Sequence, residues 1–334
     1  MIAAEPKERR RFPSWLPQAL GYTISAVCLI WVLHGYDFNR LANDFRTLDW
    51  KWVALSVVAD LVVYICHAWR WQTLLAPVSV LSFWRTVQSI YIGLFANEVL
   101  PLRPGEVIRC YLLAYWHDLR LSVGFASAGL ERVIDGIWML VAFFLTATTR
   151  GMPSQIVLAA EAMGVGLLLA VGLLIWVLRY HPHAHAALSE GRWSSTLRHV
   201  VEGLQLMGNR RTLLLTSFIS LLYLGLQVLT MWALMRAYGL DYSFWVAGGV
   251  LTIVRLGTLV PNAPGNVGLL NAAVMVAMRL FDGNPTDAKG FSLVYLVAQT
   301  APLLIGGAIA TALTGLNIGE LRDRARARVS QHQH

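Results

Sequence analysis

Asn97-Glu-Val-Leu-Pro-Leu-Arg-Pro-Gly-Glu-Val-Ile-Arg109 decides how the rest of the chain is interpreted. This stretch places two prolines, one glycine and four ionisable side chains between two apolar segments. In lipid, each unpaired charge or unsatisfied backbone amide costs several kcal/mol. The stretch is therefore expected to lie inside the protein or against a water-filled cavity.

The same pattern returns in the second half of the chain. Pro101-Leu-Arg-Pro-Gly-Glu-Val107 is matched by Pro261-Asn-Ala-Pro-Gly-Asn-Val267, at an offset of 160 residues. Upstream, Ser82-Phe-Trp84 is matched by Ser243-Phe-Trp245, at an offset of 161. Two matches that differ by a single gap predict an internally duplicated chain.

The composition is typical of a polytopic membrane protein. Hydrophobic residues make up 56% of the chain and charged residues 14%, whereas soluble domains carry about 25% charged residues. Windows of about 20 apolar residues are long enough to cross the hydrocarbon core. Six such windows predict full spans near 15–34, 52–75, 126–149, 156–179, 213–236 and 293–316.

Two further segments, 82–116 and 243–280, are apolar on both sides of a Pro-Gly turn and are predicted to be re-entrant helical hairpins. Three full spans separate them, so they are expected to enter the membrane from opposite sides. The predicted fold is therefore an all-α polytopic membrane protein with six transmembrane helices and two re-entrant hairpins in an inverted repeat. The whole chain, 1–334, forms a single membrane domain, with repeats at 51–149 and 212–317.

The net charge of +8 is better explained by membrane topology than by nucleic-acid binding. Of the 27 Lys and Arg residues, 18 fall on the side of the N-terminus, 8 fall on the other side and Arg132 lies within a span. By the positive-inside rule, both termini are expected on the cytoplasmic side of the membrane. The same rule places a loop at 180–211, which contains an interfacial helix, and a basic tail at 318–334 on the cytoplasmic side.

The helices that restart after each Pro-Gly turn direct their N-termini towards the membrane interior, where free amides favour an anion. Nearby arginines can add charge-assisted hydrogen bonds to the same group. The candidate lipid-headgroup residues are Asn97, Arg103, Gly105, Glu106, Arg109, Glu131, Arg132, Asp135, Arg255, Pro264, Gly265, Asn266 and Asn271. The alternative is that the ionised members of the first hairpin and of span 126–149 only neutralise one another and hold the hairpin in place.

Asp60 and His67 share one helical face of the second span and are expected to point inwards. An acid and a histidine inside a membrane can carry protons, so proton coupling is one interpretation of this pair. Simple packing of a hydrogen-bonded pair is the other. The three cysteines and the histidines at 181–185 show no convincing ligand spacing, so neither a metal nor a cofactor is expected.

Two separated groups of residues resemble the signature of one membrane family. The first group is Asn97, Leu100-Pro101, Arg103, Gly105-Glu106, Arg109, Glu131-Arg132 and Asp135, and the second is Pro261, Pro264-Gly265 and Gly268. Together they look like the two motifs of the flippase-like family named for the lysylphosphatidylglycerol synthase transmembrane region. The resemblance covers most of the chain.

This resemblance implies a membrane domain that moves lipids between leaflets, in a family whose stand-alone members include ones associated with hopanoid or glycolipid pathways. Some members carry a fused aminoacyl transferase domain, for which this chain has no room, so aminoacylation is not expected. Family members commonly have a glutamate in the second motif where this chain has Asn271. That difference leaves headgroup choice and proton coupling at this position open.

The expected function is translocation of an anionic or amphipathic lipid between leaflets. No catalytic motif is present, so the chain is not expected to be an enzyme. Two alternatives stay open: an intramembrane enzyme that uses Glu106, Glu131 or Asp135 as a general base on a lipid headgroup, and a non-transporting scaffold for a lipid-synthesis complex. The expected partners are a membrane lipid, lipid-biosynthesis enzymes and further copies of the chain, but not nucleic acid.

Overall fold

The computed structural model describes residues 16–34, 38–100, 103–149, 203–258 and 264–315, together with residues 157–158, 161–162, 164–169 and 171–172. Most of the predicted cytoplasmic loop, the whole basic tail, and Pro101 and Pro261 of the two turns lie outside these residues. Every regular element in the described ranges is helical, so the predicted all-α class is confirmed.

In the described ranges, ten helices carry the architecture. They are α1 (Leu16–Leu33), α2 (Phe38–Thr47), α3 (Trp50–Leu75), α4 (Phe83–Val99), α5 (Gly105–Trp116), α6 (Leu121–Thr149), α7 (Arg210–Ala237), α8 (Phe244–Gly257), α9 (Leu269–Leu280) and α10 (Pro285–Thr314). A short 3₁₀ turn, Pro264–Asn266, precedes α9.

Three of these helices, α3, α7 and α10, are long and apolar enough to cross a membrane. The 29-residue helix α6 is also long enough, but it contains an acid-arginine pair and a further acid near its middle. The described structure thus supports a multi-span helical protein, while the count of six spans and two re-entrant hairpins stays a prediction.

Short polar side chains fix where the long helices begin. The carboxylate of Asp49 accepts a hydrogen bond from the amide of Lys51 at 3.0 Å and caps α3. Asn209 caps α7 in the same way, and Asn284 caps α10 just before Pro285. A side-chain oxygen at this position satisfies an amide that the helix itself cannot, and proline is tolerated in the first turn.

Each segment that carries a Pro-Gly turn folds as two packed helices, α4 with α5 and α8 with α9. In the first pair the backbones nearly touch, because a Cβ atom on Gly105 would stand 1.9 Å from the carbonyl oxygen of Gly93. In the second pair a Cβ atom on Gly257 would stand 2.8 Å from that of Ala273. Glycine is required at these crossings because any side chain would push the helices apart.

The helices α3 and α7 pack along their length and run antiparallel. Near the start of α3, the hydroxyl of Ser56 donates to the carbonyl of Thr230 at 3.0 Å. Further along α3, the thiol of Cys66 lies 3.8 Å from the carbonyl of Ile219. As the residue number rises along α3, the partner's number falls along α7, which defines the antiparallel direction.

Most of the other contacts among these eight helices occur in matching pairs when α3–α6 are exchanged with α7–α10. Helix α4 packs on α10 as α8 packs on α6, and α5 packs on α6 as α9 packs on α10. There are two main apolar clusters, one built largely from α3–α6 and the other largely from α7–α10. This pattern is that of two corresponding four-helix units with an approximate twofold relation, in which α3 and α7 are equivalent.

Replacement of Gly105 with alanine is expected to destabilise the protein by at least about 2 kcal/mol, because overpacking a tight site costs about 1–3 kcal/mol or more. The measurement is the midpoint of thermal unfolding in detergent, followed by tryptophan fluorescence. Gly225→Ala in α7 is the matched control, since a Cβ atom there meets nothing within 4 Å. Equal midpoints for the two variants would contradict the proposed close approach.

Candidate functional site

Six charged side chains form a ladder of alternating sign across α3, α5 and α6, referred to below as the charge ladder. In order of contact they are Arg132, Glu106, Arg109, Glu131, Arg70 and Asp135. The ladder therefore contains three guanidinium groups and three carboxylates.

The outer end of the ladder lies at the protein surface. Glu106 uses one carboxylate oxygen to pair with Arg132 and the other to accept a hydrogen bond from Arg109 at 2.8 Å. The side chains of Arg132 and Glu106 are 57% and 40% exposed. This end can therefore exchange partners without breaking the core.

The inner end is buried around one carboxylate. Glu131 is 1% exposed and accepts hydrogen bonds at 3.2 Å from both Arg109 and Arg70. Arg70 also pairs with Asp135 and donates to the hydroxyl of Ser220 on α7 at 3.2 Å. The ladder thus ties α5 and α6 to α3 and reaches the second four-helix unit.

Aromatic rings cover the faces of the two buried guanidinium groups. Arg70 lies over the ring of Tyr223, with 4.6 Å to the ring centroid, and Arg109 lies at the same distance over Trp71. A desolvated guanidinium gains on the order of 2 kcal/mol from such an aromatic face. Both groups are therefore held by ion pairs at their edges and by rings at their faces.

His67 and Asp60, the pair with a predicted role in proton coupling, bond to different partners. The guanidinium of Arg109 lies 3.0 Å from Nε2 of His67 and can only donate, so this nitrogen must be the acceptor. The distance of 3.6 Å from the same nitrogen to Glu131 is too long for a hydrogen bond. His67 therefore belongs to the charge ladder as a neutral imidazole, whereas Asp60 bonds Gln299 on α10.

The two hairpin turns meet, and Arg103 joins them. Its guanidinium donates to the side-chain oxygen of Asn266 at 2.9 Å and reaches the carbonyl of Thr258 at 3.4 Å. Arg103 and Asn266 have φ angles of +50° and +54°, and that of Gly265 is +70°. For arginine this left-handed conformation costs on the order of 1–2 kcal/mol, so the junction stores local strain of the kind found at functional sites.

Glu98 also lies at this hairpin junction, although sequence analysis did not single it out as a site residue. Its Oε2 atom would be 3.3 Å from a Cβ atom on Gly265, which leaves little room for a larger residue there. This oxygen is buried and has no hydrogen-bond partner among the described residues. Glu98 lies within electrostatic reach of Arg103 but shares no hydrogen bond with it in the described contacts.

Asn97 and Asn271, both candidates for headgroup binding, have structural partners. The side-chain oxygen of Asn97 accepts the amide of Gly105 at 2.7 Å, so the first amide of α5 is already satisfied. Asn271 is fully buried, accepts the amide of Gly268 at 3.2 Å and donates to the carbonyl of Ser292 at 2.9 Å. These contacts hold each hairpin in shape; they occupy the side-chain oxygen of Asn97 and both the oxygen and the nitrogen of the Asn271 side chain.

Arg255 lies on α8 beside a narrow cavity between α6, α7 and α8. The cavity walls include Asp135, Tyr223 and Gln227 together with Arg255 itself. Asp135 is already bonded to Arg70, so the ladder ends at this cavity. The structure therefore gathers most of the charged sequence-predicted residues into two places, the charge ladder with its cavity and the hairpin junction, whereas Asp60 lies outside both and bonds Gln299.

Arg70 is a residue that sequence analysis did not single out as a site residue; it was only one of the 18 Lys and Arg residues counted on the side of the N-terminus. In the structure it is 1% exposed and lies at the centre of the charge ladder. The available signal was its position three residues after His67, which puts both on neighbouring positions of one helix face. Its partners are 61 and 65 residues away in sequence, so the ion pairs themselves had no local signature.

Glu131→Gln is expected to lower the free energy of unfolding by about 3–5 kcal/mol, because it leaves two buried guanidinium groups without their shared carboxylate. Thermal unfolding in detergent measures the loss. The same substitution at Glu161, which is exposed in the described structure, is the control and should change little. A Glu131→Gln variant as stable as the control would show that the inner ladder is not an ion-paired core.

A sequence profile of the lysylphosphatidylglycerol synthase transmembrane region matches residues 18–307. A membrane protein of Methanothermobacter thermautotrophicus is 25% identical over 322 residues, which cover 84% of this chain and 89% of that protein. The glycosyltransferase AglD of Haloferax volcanii is 26% identical over 259 residues, 66% of this chain but only 42% of the glycosyltransferase.

A third relative, a membrane protein of Methanocaldococcus jannaschii, is 24% identical over 230 residues, 67% of this chain and 96% of its own length. The profile match extends over most of the chain and includes α3, α7 and most of α10. The chain is therefore a multi-pass membrane protein and belongs to the family of the lysylphosphatidylglycerol synthase transmembrane region.

Proposed function

We propose that this protein is a lipid translocase of the bacterial inner membrane, and that its hairpin junction binds the headgroup of an anionic or amphipathic lipid. The observation that carries the proposal is the position of Arg103. Its guanidinium sits where the two hairpin turns meet, and the hydrogen bonds that it donates go to neutral oxygens. A lipid phosphate could accept these hydrogen bonds in place of the neutral oxygens. The bonds would then be stronger, because donor and acceptor both carry a full charge.

The charge ladder supports the assignment of the headgroup site to Arg103, because the ladder itself is a poor site for an anion. Its three cations are matched by three carboxylates that contact them directly, so it carries no net charge to offer an anion. Buried networks of this kind often serve structure alone. We therefore propose Arg103, and not Arg109 or Arg132, as the main headgroup-binding cation, with Arg255 as a second cation beside the cavity at the end of the ladder.

The arrangement of the two four-helix units also supports transport. Equivalent helices that run antiparallel, as α3 and α7 do, would give the units opposite orientations in a membrane. Many transporters are built from such inverted repeats, with broken helices that meet at the substrate site. The contact between Arg103 and Asn266 brings the two broken segments together at one point.

The family and one relative support lipid or glycolipid metabolism as the setting. The family is named for a synthase of an aminoacylated phospholipid, and one relative is named as a glycosyltransferase. An enzymatic role for this chain gains less support, because each carboxylate proposed as a general base is occupied by a guanidinium group. We also propose that both termini lie in the cytoplasm, that the protein associates with further copies of itself, and that enzymes of lipid synthesis are its partners.

Arg103→Gln is expected to slow movement of an anionic lipid about 10- to 100-fold, since a hydrogen bond to a charged group contributes about 1.5–3 kcal/mol. The measurement is the inward movement of fluorescent phosphatidylglycerol in proteoliposomes. Arg46→Gln is the control, because Arg46 is exposed on the short helix α2. An unchanged rate for Arg103→Gln would remove Arg103 from the site.

Asn266→Ala separates the charge of Arg103 from its role as a connector of the hairpins. This variant removes the bond between the turns but keeps the guanidinium, so headgroup binding should persist.

Mass spectrometry of the transported lipid tests the enzyme alternative, since a translocase returns the same molecule. A chemically altered lipid that depends on Glu106 or Glu131 would favour the enzyme instead.

A further inference from the structure

Asp60 lies outside both the charge ladder and the hairpin junction. It sits in the middle of α3, is 4% exposed and faces α10. One carboxylate oxygen accepts a hydrogen bond from the amide of Gln299 at 3.3 Å. The other, Oδ2, is buried and has no hydrogen-bond partner among the described residues.

The surroundings of Asp60 offer it no direct counterion. The polar groups that face it are Tyr64 on α3, Tyr91 on α4, Arg255 on α8, and Tyr295 and Gln299 on α10. On the other packed helices, Tyr223 of α7 stacks on Arg70, and the acids of α6 are paired with that same arginine. No nitrogen of a described Arg, Lys or His lies within 4 Å of the Asp60 carboxylate; Arg255 acts on it only from farther away.

An ionised carboxylate at this position would be energetically unfavourable. Burial of a charge without a paired cation costs several kcal/mol, and more in a membrane-spanning helix. A bound proton removes that cost with a single atom. A metal ion needs several oxygen ligands at once, and the described residues contain no cluster of three or more acidic, histidine or cysteine side chains suited to a metal.

The approximate twofold relation supplies an internal comparison. Counted from the first residue of each helix, Asp60 corresponds to Ser220, and its partner Gln299 corresponds to Asp135. At the equivalent interface, between α6 and α7, the acid Asp135 is bonded by Arg70, which also reaches Ser220. Equivalent interfaces thus contain an acid bonded by an arginine in one case and an acid bonded only by an amide in the other, with the two acids on non-equivalent helices.

Helix α10, which faces Asp60, contains a proline about one turn after Gln299. Pro302 lies inside α10, three residues after Gln299. Proline removes one backbone hydrogen bond and favours a bend at the preceding turn. Separation of α10 from α3 at this point would expose Asp60 to water.

We propose that Asp60 is a proton-binding site whose carboxylate takes up one proton from water, becomes a neutral acid while α3 and α10 are packed, and releases that proton when they separate. Each cycle moves one proton and one positive charge. The proton site stands on the structure alone. Its coupling to lipid movement rests on the proposed function, and the two parts are tested separately.

The first test is infrared spectroscopy of the purified protein in detergent at neutral pH, where a protonated carboxylic acid gives its own carbonyl stretch. We expect a band that shifts when aspartate is isotopically labelled, is lost in Asp60→Asn and persists in Glu98→Gln, the matched control with another unpartnered buried oxygen. A band unchanged in Asp60→Asn, or no band at all, would overturn the proton site. So would a band that appears only when sodium is replaced by choline, since sodium would then be the occupant.

The second test is lipid movement in proteoliposomes with an imposed pH gradient. One proton per lipid allows about tenfold accumulation for each pH unit, and Asp60→Asn should reduce this ratio to one while exchange without a gradient continues. Gradient-driven accumulation in Asp60→Asn, or its absence in the native protein while lipid exchange continues, would overturn the coupling. If neither protein moves any lipid but the infrared band behaves as expected, the proton site is supported and the proposed translocase is wrong.

Discussion

The carboxylate of Glu131, held between the guanidinium groups of Arg70 and Arg109, is the interaction on which the rest of the site depends. It joins helices α3, α5 and α6 at one buried point. Two charges 4 Å apart interact by about 4 kcal/mol at an effective dielectric constant of 20, against about 1 kcal/mol in water. The pairing is therefore strong because the site is buried, and burial is tolerable only because the pairing is complete.

The hairpin junction has a different physical character. Among the described residues, Arg103 bonds Asn266 and the carbonyl of Thr258 across this junction, and both Arg103 and Asn266 have left-handed backbone conformations. The charge ladder is neutral and fully paired. Its buried part resists rearrangement, because movement there would leave a buried charge without its partner. A strained junction with few bonds can change partners at a much smaller cost. The structure thus separates a rigid support from a place where a ligand can bind.

The sequence predicted the bounds of the two Pro-Gly segments well because these bounds depend on local chemistry, while their re-entrant path stays a prediction. The first was expected at 82–116 and folds as α4 and α5, from Phe83 to Trp116; the second was expected at 243–280 and ends at Leu280. Proline and glycine interrupt helices wherever they occur, so these breaks needed no tertiary information. The last long helix, by contrast, was expected from residue 293 and begins at Pro285, because polar residues in its first turns lowered the apolar signal.

The site residues were harder to assign because their roles depend on distant partners. Asn97 and Asn271 stood in motifs that suggested ligand binding, yet each accepts a backbone amide and stabilises its own hairpin. Arg70 was counted only among the basic residues on the side of the N-terminus, because no residue near it in sequence indicates a partner on α6. Residue type and spacing predicted that buried charges would cluster, but only the packing of α3 against α6 decides which ones pair.

The two units of the fold have diverged in the forces that hold them. Counted from the helix starts, Glu131 and Asp135 of α6 correspond to Tyr295 and Gln299 of α10, and neither of these is an acid. The first unit is fixed by ion pairs, whereas the second hairpin is attached by neutral hydrogen bonds, such as that of Asn271 to Ser292, and by apolar packing. Neutral bonds are weaker than charge-assisted ones by roughly half. Movement between the units should therefore consist mainly of α8–α10 shifting against a fixed α3–α6, and the hydrogen bond from Arg103 to Asn266 is one of the contacts between the two parts, together with that from Gln299 to Asp60.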